Sequence, residues 1–225
     1  MGCSLPMQRH ESTAFDPQLM RPNDVYHLLN AVVVPRPIAW VSTLSDRGVA
    51  NLAPHSYFTV LAADPPTVCF SSAGEKDSLR NARFTGDFVV NVVSEDLAEA
   101  MNHTSADFPP DLSEFTAAGL TPAPSDLVRA PRLLEAPANL ECRLTQVIEI
   151  GRNPNYVVVG EVVRFHVASA AIVDGRVDVS RIRPLGRLTG SGYVKPGEFF
   201  QLARPTYAGL VATGGVHING EKTRA

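Results

Sequence analysis

The sequence predicts a mainly β domain: an antiparallel barrel, closed or nearly closed, with a few short helices outside it. Three observations carry this. Three strand-like runs lie between residues 38 and 71 with no room for a crossover helix, so they pair as antiparallel neighbours. Residues 139–150 and 156–168 are long β-branched runs around Gly151-Arg152-Asn153-Pro154-Asn155, a hairpin by its turn residues. So many strands expose many edges, and a sheet that closes on itself hides them economically.

Taken in order, residues 1–20 lack periodicity and are expected to be a flexible arm, 21–205 the domain, and 206–225 a largely disordered tail. Asn23-Asp24 offers an N-cap to a short helix with Val25, Leu28 and Leu29 on one face. Pro35 and Pro37 prevent a helix from running through Arg36. The first strand, residues 38–44, reverses through Ser45-Asp46-Arg47-Gly48 into a second, 51–61. Pro54 cannot donate to a ladder, so that second strand lies at an edge, bends or bulges. A third strand follows the Asp64-Pro65-Pro66 corner. Residues 74–78 then open a helix with Asp77 or Ser78 as N-cap, and Gly86 closes it.

Residues 88–93 read as a buried strand, and 94–103 as an amphipathic helix capped by Ser94 with Leu97, Ala98 and Met101 as its stripe. Residues 104–136 are rich in Pro, Asp and Ala, with one helical patch near Phe115. A loop of that length is a lid, a partner-wrapping segment or disordered. Asp174-Gly175 makes one more small hairpin.

The 225 residues are 44% hydrophobic and 19% charged, enough chain for one well-packed domain. Net charge is −3 with no basic block, which argues against a nucleic-acid partner, and no apolar run is long enough to span a membrane. Cys3, Cys69 and Cys142 are widely spaced and show no metal-ligand pattern. Cys69 and Cys142 lie in apolar runs, as buried free thiols of a cytoplasmic protein would. There is no GxGxxG after a strand, no GxSxG elbow and no His pair at metal spacing. Residues 74–78 lack the GK[ST] order of a phosphate loop.

The segments RPIAWVST (36–43), NLAPHSYF (51–58), PPTVCFSS (65–72) and KDSLRNA (76–82), in this order and spacing, resemble the flavin reductase-like family. The likeness spans roughly residues 24–205 and is strongest to flavoredoxin-type proteins and the reductase components of two-component monooxygenases. It implies an FMN-binding split barrel, FMN (or FAD) as cofactor, NAD(P)H as co-substrate, a homodimer, and a monooxygenase or other electron acceptor as partner. The alternatives are a flavoredoxin-like carrier with tightly bound FMN and little NAD(P)H turnover, or a repurposed biosynthetic flavoprotein or small-molecule carrier.

A flavin phosphate wants cations, hydroxyls and free N–H groups at a helix start. Arg36, Ser42, Thr43, Lys76, Asp77 and Ser78 are residues of the types found there, with Asp77 capping the helix or orienting Lys76. For the ring, the resemblance implies Asn51, Ser56, Tyr57 and Phe58, and the matched segments add Pro37, Val41, Ala53, Pro54, Ser71 and Asn81 as cofactor contacts. His103, at the end of a helix, is expected to reach flavin across a dimer interface or simply to end that helix; Tyr193 lies at a further family position near the flavin. His55 is the candidate catalytic residue, at the nicotinamide side of the site, against a plain strand side chain. Trp40 is read as core.

Overall fold

The computed structural model describes residues 11–213 and two short strands, His217–Ile218 and Glu221–Lys222. Residues 1–10 of the expected N-terminal arm, Cys3 included, lie outside the described residues, as do 214–216, 219–220 and 223–225 of the expected C-terminal tail. The chain begins with α1 (Pro22–Val32), β1 (Arg36–Pro37), β2 (Ala39–Leu44), β3 (Ala50–His55), β4 (Phe58–Ala63) and β5 (Pro66–Ala73). Next come α2 (Asp77–Thr85), β6 (Asp87–Val92), α3 (Ala98–His103), α4 (Glu114–Ala117), β7 (Pro122–Ala123) and β8 (Arg132–Leu133). The long hairpin β9 (Ala138–Ile150) and β10 (Asn155–Val167) is followed by β11 (Ile172–Val173), β12 (Arg176–Val177), α5 (Val179–Ile182), β13 (Gly186–Arg187), β14 (Tyr193–Val194) and α6 (Tyr207–Ala212).

Seven strands form one antiparallel sheet in the order β3-β2-β6-β9-β10-β5-β4. Its two outer strands, β3 and β4, are consecutive in the chain and joined only by Ser56-Tyr57. A sheet whose opposite edges are two residues apart must curl into a barrel, closed at that corner and parted where the strands diverge. The second predicted strand is thus two strands, one at each edge. Pro54 sits in β3 opposite Trp40, at the edge where a missing N–H costs no ladder bond.

Strand β2 shows how the interior is built. Ala39 and Val41 join Phe70, Leu79, Phe88, Val90, Cys142 and Val158 inside the barrel. Ile38 and Trp40 point the other way, into a second cluster with Leu52, Met101, Phe115, Leu133 and Leu185. Both faces are covered, so the run is apolar throughout instead of alternating.

The second cluster is the underside of residues 104–136, which lie against the barrel of their own chain instead of being disordered. Buried polar side chains on the outward face of β6 and β9 tie them down. Asp87 accepts from the backbone N–H of Arg129 and Ala130, and Asn91 accepts from that of Leu133. Glu141 accepts from Asp126 and Leu127, and Thr104 accepts from Trp40 Nε1 at 2.9 Å. Trp40 is fully buried, as expected.

Several expected boundaries shift. Helix α1 starts at Pro22, whose ring suits the first helical position, and Asp24 pairs with Arg21 at 2.7 Å instead of capping. Lys76 occupies the N-cap of α2, and neither Asp77 nor Ser78 caps it. Gly86 closes α2 with φ 73°, a left-handed position that glycine takes without strain. Residues 94–103 divide into a 3-10 turn, Glu95–Leu97, and α3, and the Ser94 side chain makes no cap bond. Within the expected tail, α6 is a regular helix capped by Thr206, although its side chains are exposed. Cys142 is buried and Cys69 half-buried, both as free thiols whose pKa burial raises. No helix among the described residues is long and apolar enough to cross a membrane.

Candidate functional site

The corner where the sheet edges meet opens onto a cavity of about 930 Å³. Strands β3 and β5, the start of α2, one face of α1 and residues 104–108 form its walls. Ten of the predicted residues line it: Asn51, Ala53, Pro54, His55, Ser56, Tyr57, Ser71, Lys76, Asp77 and Ser78. Segments far apart in the sequence meet here because β3 and β5 approach beneath the Ser56-Tyr57 corner. The Ser71 N–H donates to the Tyr57 carbonyl at 2.8 Å.

Lys76, at the mouth, holds Asp107 at 3.1 Å with its ammonium side chain largely exposed. Asp77 pairs with Arg80, so it does not orient Lys76. The first N–H groups of α2, at Asp77 and Ser78, have no carbonyl partner within the helix. His55 is wedged between two oxygens. Its Nδ1 lies 3.1 Å from the Ser71 carbonyl and its Nε2 3.2 Å from Ser78 Oγ, and its ring packs 4.6 Å from that of Phe70. Burial pushes the His55 pKa down to about 4, against the raising effect of the Ser71 carbonyl and with a smaller lowering by Lys76. The ring is therefore neutral at pH 7. A carbonyl can only accept, so Nδ1 carries the hydrogen and Nε2 is an acceptor.

Arg36, Pro37 and Phe58 lie on an adjoining concavity of about 430 Å³ that shares Ser56 and Tyr57 with the main cavity. Arg36 is buried, and its Nη atoms donate to the carbonyls of Asn30 (3.2 Å), Val33 (2.7 Å) and Leu188 (2.9 Å). It therefore closes the C-terminal end of α1 and ties the β13–β14 turn to it, a structural task the sequence did not disclose. Its Nε is buried without a partner among the described residues.

Val41, Ser42 and Thr43 lie in the wall of the barrel and not on the cavity. The Ser42 hydroxyl donates to the Pro131 carbonyl, and Thr43 Oγ1 accepts from Asn81 Nδ2 at 3.1 Å, so both hydroxyls serve the fold. Asn81 faces a neighbouring hollow with Asn51, Asp77 and Glu114. His103 ends α3 beside Phe108, 5.8 Å between rings, while the residues just after it line the cavity. Tyr193 donates to Asn102 at 3.1 Å and stacks against Arg187 next to the cavity.

Sequence reasoning missed Glu114. It reaches from α4 to accept from the Leu52 N–H at 3.0 Å and lies on the cavity floor. Burial raises its pKa, and the Asp77 charge adds to the rise. A single acid in a long polar loop carries no pattern that marks it as buried. Tyr26, Leu29, Ile150, Asn155 and Val157 also line the cavity, and only the fold brings them there.

Residues 31–179 match the family described as flavin reductase like domain. Nitrilotriacetate monooxygenase component B from Bacillus cereus is similar in structure, with a TM-score of 0.83 and 38% identity over 86% of this chain and 100% of that one. A 2-nitrobenzoate 2-nitroreductase from Pseudomonas fluorescens gives a TM-score of 0.81 and 34% identity over 87% and 98%. A split barrel domain protein from Shewanella frigidimarina, at 24% identity and a TM-score of 0.77 over 86% and 100%, shares the fold. The parted barrel described above is that split barrel.

Proposed function

The chain belongs to the flavin reductase-like family, and from that premise we propose that it is an FMN-binding oxidoreductase that accepts hydride from NAD(P)H and hands electrons to a partner. The observation that carries this reading is the convergence of three of the four matched segments, 51–58, 65–72 and 76–82, on one cavity of about 930 Å³, at the upper end of the range for cofactor sites.

The donors present fit a flavin. Lys76 and the free N–H groups of α2 suit a phosphate; Asn51, Ser56 and the β3–β4 corner offer hydrogen bonds to a ring edge; Tyr26, Leu29 and Tyr57 offer flat apolar cover. The unpartnered Arg36 Nε leaves one further donor beside this site. When bound, the flavin supplies the hydride and electron chemistry. The chain's part is to orient two planar rings against each other, exclude water with residues 104–108, and offset negative charge from Lys76 and the α2 terminus. His55, hydrogen-bonded at both nitrogens, is held still in the wall.

A homodimer belongs to the same proposal, as does a monooxygenase partner like the one implied by the name of the Bacillus cereus protein. Electron delivery directly to a small organic oxidant is a second reading, favoured by the 34% identical nitroreductase.

The test is the visible spectrum of the purified protein, titration with FMN and FAD, and NADH or NADPH oxidation with oxygen, a nitroaromatic or no acceptor. Saturable FMN binding with nucleotide oxidation is expected. Absence of flavin binding would overturn the proposal, and colour without nucleotide oxidation would make it an electron carrier.

A further inference from the structure

The cavity wall contains a hydrogen-bonded chain that is one hydrogen short. It runs from the Ser71 carbonyl through His55 and Ser78 to Asn51 and Glu114. The four links are Ser71 O to His55 Nδ1 (3.1 Å), His55 Nε2 to Ser78 Oγ (3.2 Å), Ser78 Oγ to one end of the Asn51 amide (3.3 Å), and the amide's other end to Glu114 Oε1 (3.3 Å).

Each link needs one hydrogen. A neutral imidazole supplies one, the Ser78 hydroxyl one, and the Asn51 amide one, because its other end is an oxygen. With Glu114 ionised, three hydrogens must serve four links. A fourth completes the chain in either of two ways. Placed on Glu114 Oε1, it is donated to Asn51 Oδ1, the Asn51 NH2 then donates to Ser78, and Ser78 donates to a neutral His55. Placed on His55 Nε2, it makes an imidazolium that donates to Ser78; Ser78 then donates to Asn51 Oδ1, and the amide, turned over, donates to ionised Glu114.

We propose that Glu114, Asn51, Ser78 and His55 are a one-proton store in the cavity wall, with Glu114 as a positioning residue that governs the charge His55 presents to an anionic ligand. The proton comes from solvent; no covalent bond between heavy atoms and no electron changes place. Filled at Glu114, the wall is neutral. Filled at His55, it sets a cation beside the ligand.

The surroundings balance the two ends. Phe70 and burial oppose charge on His55, as does Lys76, which Asp107 partly offsets. Burial and Asp77 oppose charge on Glu114, with Arg80 paired to Asp77. In the other direction, the Leu52 N–H lies 3.0 Å from Glu114 Oε2 and 3.2 Å from the Ser78-facing end of Asn51, and favours the oxygen there. The empty cavity therefore holds the proton on Glu114 or not at all, and negative charge in the cavity draws it to His55.

That the anion is a flavin rests on the function proposed above; the store does not. The test begins with ligand-free protein, following the ring nitrogens of His55 by NMR from about pH 3 to pH 9. In the wild type, Nε2 is expected to show two steps, its own and a second at higher pH as Glu114 titrates through the chain. Glu114→Gln, whose amide donates the fourth hydrogen permanently, is expected to lose the upper step. Ser78→Ala, which cuts the chain but keeps the Glu114 charge, is expected to lose it too.

A single step in the wild type would overturn the proposal. So would an upper step that survives in Ser78→Ala, which would make the coupling a through-space field. Calorimetry on adding FMN in two buffers of different ionisation heat supplies the second readout at a pH above the upper NMR step, where Glu114 is ionised and the store unfilled: wild type and Glu114→Gln should there differ by about one proton taken up per flavin, and equal uptake at that pH would overturn the store. If FMN binds to neither protein, the proposed function fails while the NMR result still decides the store.

Discussion

His55 bears on stability as well as on the site. In the unfolded chain it titrates near pH 6.5, and in the folded protein only at about 4. The unfolded state therefore binds the extra proton first, so the stability is complete above about pH 6.5 and is lost as pH falls toward 4. At about 1.4 kcal/mol per pKa unit the loss is at most about 3 kcal/mol. Glu114 acts in the opposite sense, because its raised pKa makes the folded state take up a proton before the unfolded one. In His55→Gln, urea midpoints should stay flatter between pH 6.5 and pH 4 than in the wild type; identical pH profiles would show that the His55 proton is not excluded by folding. Lys76 bears on ligand affinity instead. If its ammonium meets a phosphate, Lys76→Met should weaken FMN about tenfold, roughly 1.4 kcal/mol, and leave riboflavin unchanged. Equal losses for both ligands would place Lys76 elsewhere. The residue types of this region were legible in the sequence, but their directions were not. Ser42 and Thr43 were as suitable in type as Ser56 and Ser78, yet they turn into the barrel wall, where Pro131 and Asn81 use their hydroxyls.

Among the elements, the strands were the most legible and the 104–136 segment the least. Turn residues and β-branched runs mark β9 and β10 to within a residue or two. Nothing local marks residues 104–136 as ordered, since their anchors Asp87, Asn91 and Glu141 stand on strands elsewhere in the chain. A polar residue in an otherwise apolar strand, such as Asn91 in 88–93, was the one available sign that something polar must meet it. The barrel interior has its own close fit at Gly160 on β10. A Cβ there would lie 2.5 Å from Phe88 Cζ and 3.2 Å from the Arg143 carbonyl, and Phe88 is fully buried. The glycine leaves room for that ring between Val158 and Val162. Gly160→Ala should therefore destabilise the protein by about 1–3 kcal/mol through overpacking, read as a lower denaturant midpoint at an unchanged slope. A neutral effect would mean that β10 shifts outward freely, which its pairing with both β5 and β9 opposes.

At the scale of the molecule, the cavity is walled on one side by a helix that presents much of its apolar surface to solvent. Leu29 and Tyr26 of α1 line the cavity, yet Leu29, Val32 and the following Val33 are each more than half exposed, and so is Val60 on β4. Leu29 and Val33 also share the adjoining concavity with Tyr57 and Phe58, so this apolar surface runs from α1 to the sheet corner. Apolar surface of this kind is costly to leave in water. A second copy that covers it would at the same time narrow the mouth of the cavity, which couples assembly to ligand retention. Leu29→Glu is then expected to shift sedimentation at micromolar concentration from dimer toward monomer and to weaken FMN binding in parallel. Retention of the dimer with flavin affinity unchanged would place the interface elsewhere. A monomeric wild type would sink the homodimer altogether, and α1 would then be a wall of the site that the single chain holds in place through Arg36 and the Asn30–Tyr57 hydrogen bond.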